Sequence, residues 1–251
     1  MARTARLVLP GQPHHVYQQG NNRQTVFFDK EDFDIFLSWL KESSRQFKID
    51  IHAYTLLHNA FHLLVTPTDG IGLARMMQWV GRYYVPYFNK KYKRSGTLWE
   101  GRFRTSLVDA DNCLLECSRY IEQKPVLDGM VARPEEYEWS SYAHHAGIKP
   151  DPVIRDHSVY WNLGNTPFAR ELAYKEFFNR FDHWESEKLD RILMSGWPLG
   201  SEKFKKQLEI QTERQFRMGK RGRPQKCHGA AQSGPALSRA GQGGADQGQQ
   251  Q

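Results

Sequence analysis

The sequence is poor in cysteine and contains no long apolar run. Three cysteines, Cys113, Cys117 and Cys227, stand among 251 residues, and their spacing fits neither a zinc site nor a disulfide framework. This usage is typical of a reducing compartment. No apolar stretch approaches the roughly 20 residues that a transmembrane helix needs, and the apolar part of the basic N-terminus is too short for a signal peptide. We therefore predict a cytoplasmic protein without a membrane span.

The chain also lacks an excess of acidic residues. Its 35 lysines and arginines exceed its 28 aspartates and glutamates, so the formal net charge is +7. This balance favours a polyanionic partner such as nucleic acid, although charge alone does not distinguish nucleic acid from an anionic membrane. Hydrophobic residues make up 39% of the chain and aromatic residues 13%. That is enough for a sizeable core, in one domain with a tail or in two small domains.

Residues Ile49–Thr66 predict a β-hairpin around which the other motifs are arranged. The first half alternates apolar and polar residues, His58 and Asn59 can form the turn, and Phe61–Val65 is a short apolar run typical of a strand. His62 lies inside this run. A core histidine with hydrogen-bonded ring nitrogens explains it, and so does a functional histidine. The hairpin alone leaves both explanations open.

Further strands and helices are predicted on both sides of the hairpin. Asp29 can cap a first helix, and Pro86 should kink or split a second one. Pro125 should end a third helix, because the residue before a proline avoids helical angles. The predicted elements are, in chain order, a strand at His14–Gln19, helices from Lys30 to about Phe47 and from about Leu73, a strand at Thr105–Val108 and a helix from Asn112 to about Gln123.

Basic and aromatic side chains are densest between residues 94 and 104. Arginine binds phosphate and stacks on bases, and tryptophan offers a flat face for stacking. These residues are therefore candidates for binding nucleic acid, and burial of the two aromatic side chains is the alternative explanation. The candidates are Arg94, Trp99, Arg102, Phe103 and Arg104.

The C-terminal part of the chain carries weaker signals. Aromatic residues at helical intervals predict helices between residues 160 and 198, and residues 201–226 hold nine basic against three acidic residues. The segment GKRGRPQK suits phosphates or a minor groove, and a solvated tail is the alternative. Its candidate DNA-binding residues are Lys220, Arg221 and Arg223. Residues 227–251 are rich in Gly, Gln, Ala and Ser and are predicted to be disordered.

Four stretches, taken together, resemble one family. They are PGQPHHVYQQGNNRQTVFF at residues 10–28, the hairpin, RSGTLWEGRFRTSLVD at residues 94–109 and RYIEQKPVLDGMV at residues 119–131, which YEWSSY follows. In this order they resemble a REP-associated tyrosine transposase, of the single-tyrosine HUH group that acts on single-stranded DNA. The resemblance covers residues 10–147, and GKRGRPQK shows a weaker similarity.

The resemblance implies a fold and a chemistry. The fold is α+β, with a ferredoxin-like antiparallel sheet and helices packed on it at residues 10–147, a helical basic extension at 148–226 and a tail at 227–251. Tyr120 would be the nucleophile that cleaves and rejoins single-stranded DNA hairpins through a 5′-phosphotyrosyl intermediate, in DNA transposition. Mg²⁺ or Mn²⁺ would be held by a histidine pair that includes His62. The implied partner is single-stranded or hairpin DNA, and the implied location is the bacterial cytoplasm, at the nucleoid.

The chain departs from the family pattern at two positions. Members carry His-hydrophobic-His where this chain has Ala60-Phe61-His62, and Asn where it has Lys124. Because Ala60 removes one ligand, we expect weak metal binding. Lys124 lies one helical turn beyond Tyr120, so its ammonium can contact the same phosphate, which makes Lys124 a second candidate catalytic residue. Decay of an unused site explains the same two changes.

The sequence therefore allows two functions. One is a transposase that cleaves and joins DNA, and the other is a catalytically impaired protein that only binds DNA hairpins. RNA is a third partner that the residues allow.

Overall fold

The structure is a computed structural model that describes residues 6–180 and 183–216, with the side chains of residues 183–185 left out. The basic segment with Lys220, Arg221 and Arg223 and the predicted tail at 227–251 lie outside the described residues. The proposed limits of the domain at 10–147 and of its extension at 148–226 stay predictions. In the described part of the chain, no helix combines the length and the apolar character that spanning a bilayer requires.

Four antiparallel strands form one sheet in the order β2-β3-β1-β4. The strands and the first two helices follow one another as βαββαβ, which is the ferredoxin-like arrangement. This confirms the predicted α+β class. The hairpin turns at His58 and Asn59 as predicted. The strands are β1 at His14–Gln19, β2 at Ile49–Leu57, β3 at Ala60–Pro67 and β4 at Arg104–Leu107.

Helices cover both faces of the sheet. Helices α1 (Lys30–Gln46) and α2 (Gly72–Lys91) pack on the face that carries the larger apolar cluster, with Phe36, Leu40 and Tyr84 fully buried. The opposite face is covered by α3 (Ala110–Leu127). Alternation along β3 explains this division, because neighbouring residues of a strand point to opposite faces. His62 thus shares the α3 face, and Phe61 the other.

Asp29 caps α1 as expected, since its carboxylate accepts a hydrogen bond from the Asp32 backbone N–H at 3.1 Å. The expected end of a helix at Pro125 needs correction, and α2 is not split at Pro86. Helix α2 is one element across Pro86, and α3 runs past Pro125 to Leu127 instead of ending near Gln123. Packing offsets the lost backbone hydrogen bond in both cases, because α2 buries Tyr84 and Phe88 and Pro125 itself is buried.

The chain beyond the sheet forms short helices that pack against α3. The predicted helices are present with shifted limits, and a short helix precedes them directly after the YEWSSY segment. These helices are α4 at Tyr142–His145, α5 at Ser158–Trp161, α6 at Pro167–Asn179, α7 at His183–Ser195 and α8 at Glu202–Thr212. Leu189 and Leu193 of α7 join the apolar cluster under α3.

Glu122 ties α3 to this C-terminal layer. Its carboxylate is fully buried and accepts hydrogen bonds from the Ser141 hydroxyl at 2.5 Å, His145 Nδ1 at 2.6 Å and the Tyr174 hydroxyl at 2.7 Å. Burial lowers the pKa of His145, but the Glu122 carboxylate more than offsets this effect, so the pKa is raised above its ordinary value. The pair is therefore a buried and compensated ion pair, which loses its compensation if either partner is removed.

We predict that Glu122→Ala destabilises the protein by about 3–5 kcal/mol, because it leaves a buried imidazolium and two hydroxyl groups without their acceptor. Urea unfolding monitored by circular dichroism measures the free energy of unfolding. Glu176→Ala is the control, since Glu176 lies exposed on α6 and should change stability by less than about 0.5 kcal/mol. Equal stability of the two variants would contradict the role of Glu122.

Candidate functional site

The sheet register places four side chains in one row across the α3 face. His62 of β3 lies opposite Thr55 on one side and Tyr17 on the other, and Tyr17 lies opposite Arg104. Directly paired residues point to the same face of a sheet. The row therefore places the histidine predicted from the hairpin on the same face as an arginine from a separate motif, with Tyr17 between them.

His62 forms a buried pair with a second histidine. His15 Nε2 lies 3.0 Å from His62 Nδ1, within hydrogen-bond distance. Burial lowers the pKa of His15 to about 3. Burial, followed by the charges of His15 and Lys124, holds the pKa of His62 well below its ordinary value. Both rings are thus neutral at pH 7, and His62 uses its Nδ1 atom to contact His15.

Tyr120 lies beneath helix α7. Its residue is fully buried, its ring centroid is 6.0 Å from that of His62, and its hydroxyl donates a 2.6 Å hydrogen bond to Asp190 Oδ1. Burial and the negative charge of Asp190 raise the pKa of Tyr120 above its ordinary value. In this arrangement the phenol is neutral, and its hydroxyl points to the carboxylate of α7.

Lys124 is held in place by α3 itself. The extension of the helix beyond Pro125 puts Asp128 one turn away, and the two side chains form an ion pair of 3.0 Å. Only 16% of the Lys124 side chain is exposed. Lys124 is therefore not at the end of the helix, as the prediction for Pro125 implied. Asp128 orients its ammonium, which acts electrostatically on His62.

A cavity of about 490 Å³ opens beside these groups. We name it the Tyr120 cavity, because Asp190, the hydrogen-bond partner of Tyr120, lines it. His62 and Ala60 line it from β3, and Tyr17 and Gln19 line it from β1. Asp190 and Met194 of α7 line it, whereas Tyr120 is fully buried and does not. The charges balance between three basic and three acidic side chains, namely Arg23, Arg104 and Lys124 against Glu100, Asp128 and Asp190.

The residues present do not fit the divalent metal that the resemblance implies. Position 60 offers only a methyl group, His62 Nδ1 contacts His15, and the Lys124 ammonium acts on the same imidazole. His58 does not replace the missing ligand, since its Nδ1 contacts the Phe27 carbonyl at 3.2 Å beside Phe33 of the other face. Among the described residues no group of three or more His, Cys, Asp or Glu side chains is placed to hold a metal ion.

The five candidate DNA-binding residues that the structure describes do not all meet at this cavity. Arg104 lines it directly, whereas Arg102 and Phe103 line a neighbouring cleft of about 680 Å³ that also reaches Arg104. Trp99 is half-buried with its ring 5.5 Å from that of Phe61, and Phe103 is buried. Arg94 stands apart from the three, near Phe88 at the end of α2.

The bonding partners of Tyr120, Lys124 and His62 were not predicted from the sequence. Asp190 belongs to a segment with no motif, and Asp128 was hidden by the expectation that α3 ends before it. His15 is the second residue of a His-His dipeptide in the predicted strand β1. The alternation of strand residues, which puts His15 and the apolar Val16 on opposite faces, was the one signal for its position. Only the packing of α7 beside Tyr120 brings Asp190 to the site.

Parts of this chain are similar to known proteins. A family model described as "Transposase IS200 like" matches residues 12–124. Among solved structures, the chain is similar to a REP-associated tyrosine transposase bound to a REP hairpin, with 15% identity and a TM-score of 0.49 over 63% of this chain and 93% of that chain. It is also similar to a candidate transposase from Deinococcus radiodurans R1, with 20% identity and a TM-score of 0.35 over 49% and 98% of the two chains. No curated protein matches the chain.

Residues 12–124, just under half of the chain, are thus similar to the IS200-like transposase family. The matched segment begins just before β1 and ends at Lys124, so it includes His62 and Tyr120. It does not include Asp190, which α7 contributes from outside the matched region.

We predict that the protein shows no tight Mn²⁺ binding in isothermal titration calorimetry, because one imidazole and a nearby ammonium make a poor site for a cation. The double variant Ala60→His with Lys124→Asn restores a second imidazole and removes the positive charge, so its affinity should rise at least about tenfold. Ala60→Gln with Lys124→Asn, which supplies no imidazole, is the control. Tight binding by the unmodified protein that His62→Ala abolishes would contradict this prediction.

Proposed function

We propose that the protein is a transposase that cleaves and rejoins single-stranded DNA beside a hairpin, with Tyr120 as nucleophile and Lys124 as the cation at the phosphate. The observation that carries this proposal is the position of both side chains on one turn of α3, next to a cavity lined by His62 and Arg104. Similarity of residues 12–124 to the IS200-like transposase family supports it.

The proposed reaction is a phosphoryl transfer in two steps. The Tyr120 oxygen bonds to phosphorus, the bond from phosphorus to the 3′ oxygen breaks, and a 5′-phosphotyrosine and a free 3′ hydroxyl result. The phenolic proton passes to water once the site is open, and the 3′ oxygen takes up a proton. A strand with a free 3′ hydroxyl can then attack the phosphotyrosine and restore a phosphodiester. The covalent intermediate conserves the phosphodiester for joining.

In this chain the positive charge at the phosphate would come from side chains. Lys124 and Arg104 line the cavity, so both can offset the charge that builds on the phosphate oxygens. His62 is neutral and can offer a hydrogen bond through its remaining ring nitrogen. An ammonium lacks the Lewis acidity of a divalent ion, so we expect slow cleavage.

A second candidate function is hairpin binding without cleavage. Ala60 in place of a ligand and the covered hydroxyl of Tyr120 favour it. Phosphate contacts from the basic residues at Arg102 and Arg104 would support DNA binding in either case, and its affinity should then fall steeply with salt.

A labelled hairpin DNA with single-stranded flanks distinguishes the two functions. We expect the unmodified protein to form a covalent adduct that survives denaturing electrophoresis in the presence of EDTA, because no divalent ion is needed. Tyr120→Phe should form none, since it lacks the nucleophile, and Lys124→Ala should slow adduct formation about 100-fold or more. Lys124→Arg is the matched control that keeps the charge and should retain part of the rate.

The alternative outcome is equally informative. A mobility shift without an adduct in EDTA or Mn²⁺ would show that the protein only binds DNA. An adduct that Lys124→Ala forms at the original rate would remove Lys124 from the reaction.

Helix α7 controls access to the nucleophile in this proposal. Asp190 lines the cavity and accepts the hydrogen bond of the Tyr120 hydroxyl, adds to the effect of burial in raising the pKa of Tyr120, and would repel an approaching phosphate. The hydroxyl of a fully buried tyrosine reaches a phosphodiester only if α7 shifts.

We therefore predict that Asp190→Asn and Asp190→Ala form the adduct about tenfold faster, equivalent to about 1.4 kcal/mol of the barrier. Glu187→Gln is the control, because it removes a carboxylate from an exposed position of the same helix. The rate of adduct formation under single-turnover conditions is the measurement. Slower reaction of both Asp190 variants would mean that this carboxylate assists catalysis by accepting the phenolic proton.

A further inference from the structure

We propose that the apolar cavity beside Trp99 binds one unpaired nucleobase of the DNA strand that leads to the Tyr120 cavity. This inference rests on the proposed function and adds a recognition site to it. The cavity lies on the α1–α2 face of the sheet, where none of the groups assigned to the reaction lies.

The walls of this cavity have the chemistry of a base-binding site. Its volume is about 460 Å³, within the range of roughly 300–1,000 Å³ that small-molecule pockets have. Aromatic rings line it from α1, from β3 and from the loop between α2 and β4, and Met77 and Val80 complete the apolar surface. The rings belong to Phe36, Phe61, Trp99 and Phe103.

Two arginines stand at the edge of the cavity. The Arg6 guanidinium stacks on Phe103 at 3.7 Å from the ring centroid, and its Nε donates to the Phe103 carbonyl at 3.1 Å. Burial lowers the pKa of Arg6, and the positive charge of the nearby Arg102 lowers it further. No aspartate or glutamate is among the described residues that line this cavity. The neighbouring cleft, which both arginines also line, holds four arginines and one acidic side chain, Glu100. This excess of positive charge favours an anionic partner, and phosphate suits guanidinium groups.

Polar groups at the wall match the edge of a base. The side-chain amides of Gln18 and Gln78 both line the cavity. An amide offers a donor and an acceptor, as the edge of a base does. Gln18 makes only a long 3.4 Å contact with the Gly101 carbonyl, so it can turn to a ligand at small cost.

The cavity is connected to the site of the proposed reaction. Arg6, Arg102 and Phe103 line both this cavity and the 680 Å³ cleft, and Arg104 lines both that cleft and the Tyr120 cavity. A strand that enters along these arginines has phosphates on the basic side and a base within reach of the aromatic walls. Basic grooves with aromatic stacking positions are the usual means of binding single strands. This continuity, together with the charge, favours a nucleobase over an uncharged apolar ligand.

Gly81 gives a direct way to fill the cavity. It lines the cavity from the middle of α2, and a Cβ atom built on it meets nothing within 4 Å. Leucine at this position therefore extends into open space, and it favours a helix more than glycine does. Gly81→Ala is the matched control, since it gains helix propensity but leaves most of the volume free.

The test measures binding of a DNA hairpin with single-stranded flanks, in which each flanking base is removed in turn to leave an abasic site. In the unmodified protein and in Gly81→Ala, one position should weaken binding about tenfold when its base is missing. Gly81→Leu should bind the intact DNA about tenfold more weakly and lose the sensitivity at that position. If Gly81→Leu matches Gly81→Ala at every position, the cavity does not bind a base.

Photocrosslinking provides a second measurement that needs no variant. With 5-iodouracil at each flanking position in turn, we expect one position to crosslink to Trp99 or Phe103 of the unmodified protein. Crosslinks confined to residues outside the cavity would overturn the inference while leaving the proposed function intact. Absence of any binding to hairpin DNA would instead reject both.

Discussion

The buried carboxylate of Glu122 determines how helix α3 presents its reactive side. Glu122 stands two residues from both Tyr120 and Lys124, and two residues turn a helix by about 200°. Its bonds to Ser141, His145 and Tyr174 therefore pull the opposite face of α3 toward the C-terminal layer. As a result Tyr120 packs beside His62, and Lys124 lines the cavity. The position of Tyr120, the proposed nucleophile, thus depends on a carboxylate that is fully buried and hydrogen-bonded.

The side chains that line the Tyr120 cavity differ in charge from those of a metal site. The position that would hold a second imidazole carries only the methyl group of Ala60, while Lys124 and Arg104 bring fixed positive charge. Lys124 is oriented by Asp128, and the neutral His62 contacts His15. These features belong together, because a nearby ammonium disfavours both a bound cation and a protonated imidazole. Three acidic side chains balance the three basic ones that line this cavity.

Much of the fold could be predicted because strand and helix periods are local. The β1 strand, the hairpin turn and the Asp29 cap each follow from a few neighbouring residues, and all three are present in the structure. The predicted helix end at Pro125 was wrong for the opposite reason. Whether a helix continues past a proline depends on how much surface it buries elsewhere. Pro125 is buried in α3, and only the continuation of that helix brings Asp128 beside Lys124.

The sequence by itself determined the α+β architecture and the family resemblance, through motifs whose residues are close together in the chain. Tyr120, His62 and the two departures at Ala60 and Lys124 could be identified in this way. Only the tertiary structure decided that Asp190, 70 positions after Tyr120, accepts its hydrogen bond. The same holds for the cavity beside Trp99, whose walls come from four elements. Contacts between distant segments depend on packing of the whole chain, and no local pattern encodes them.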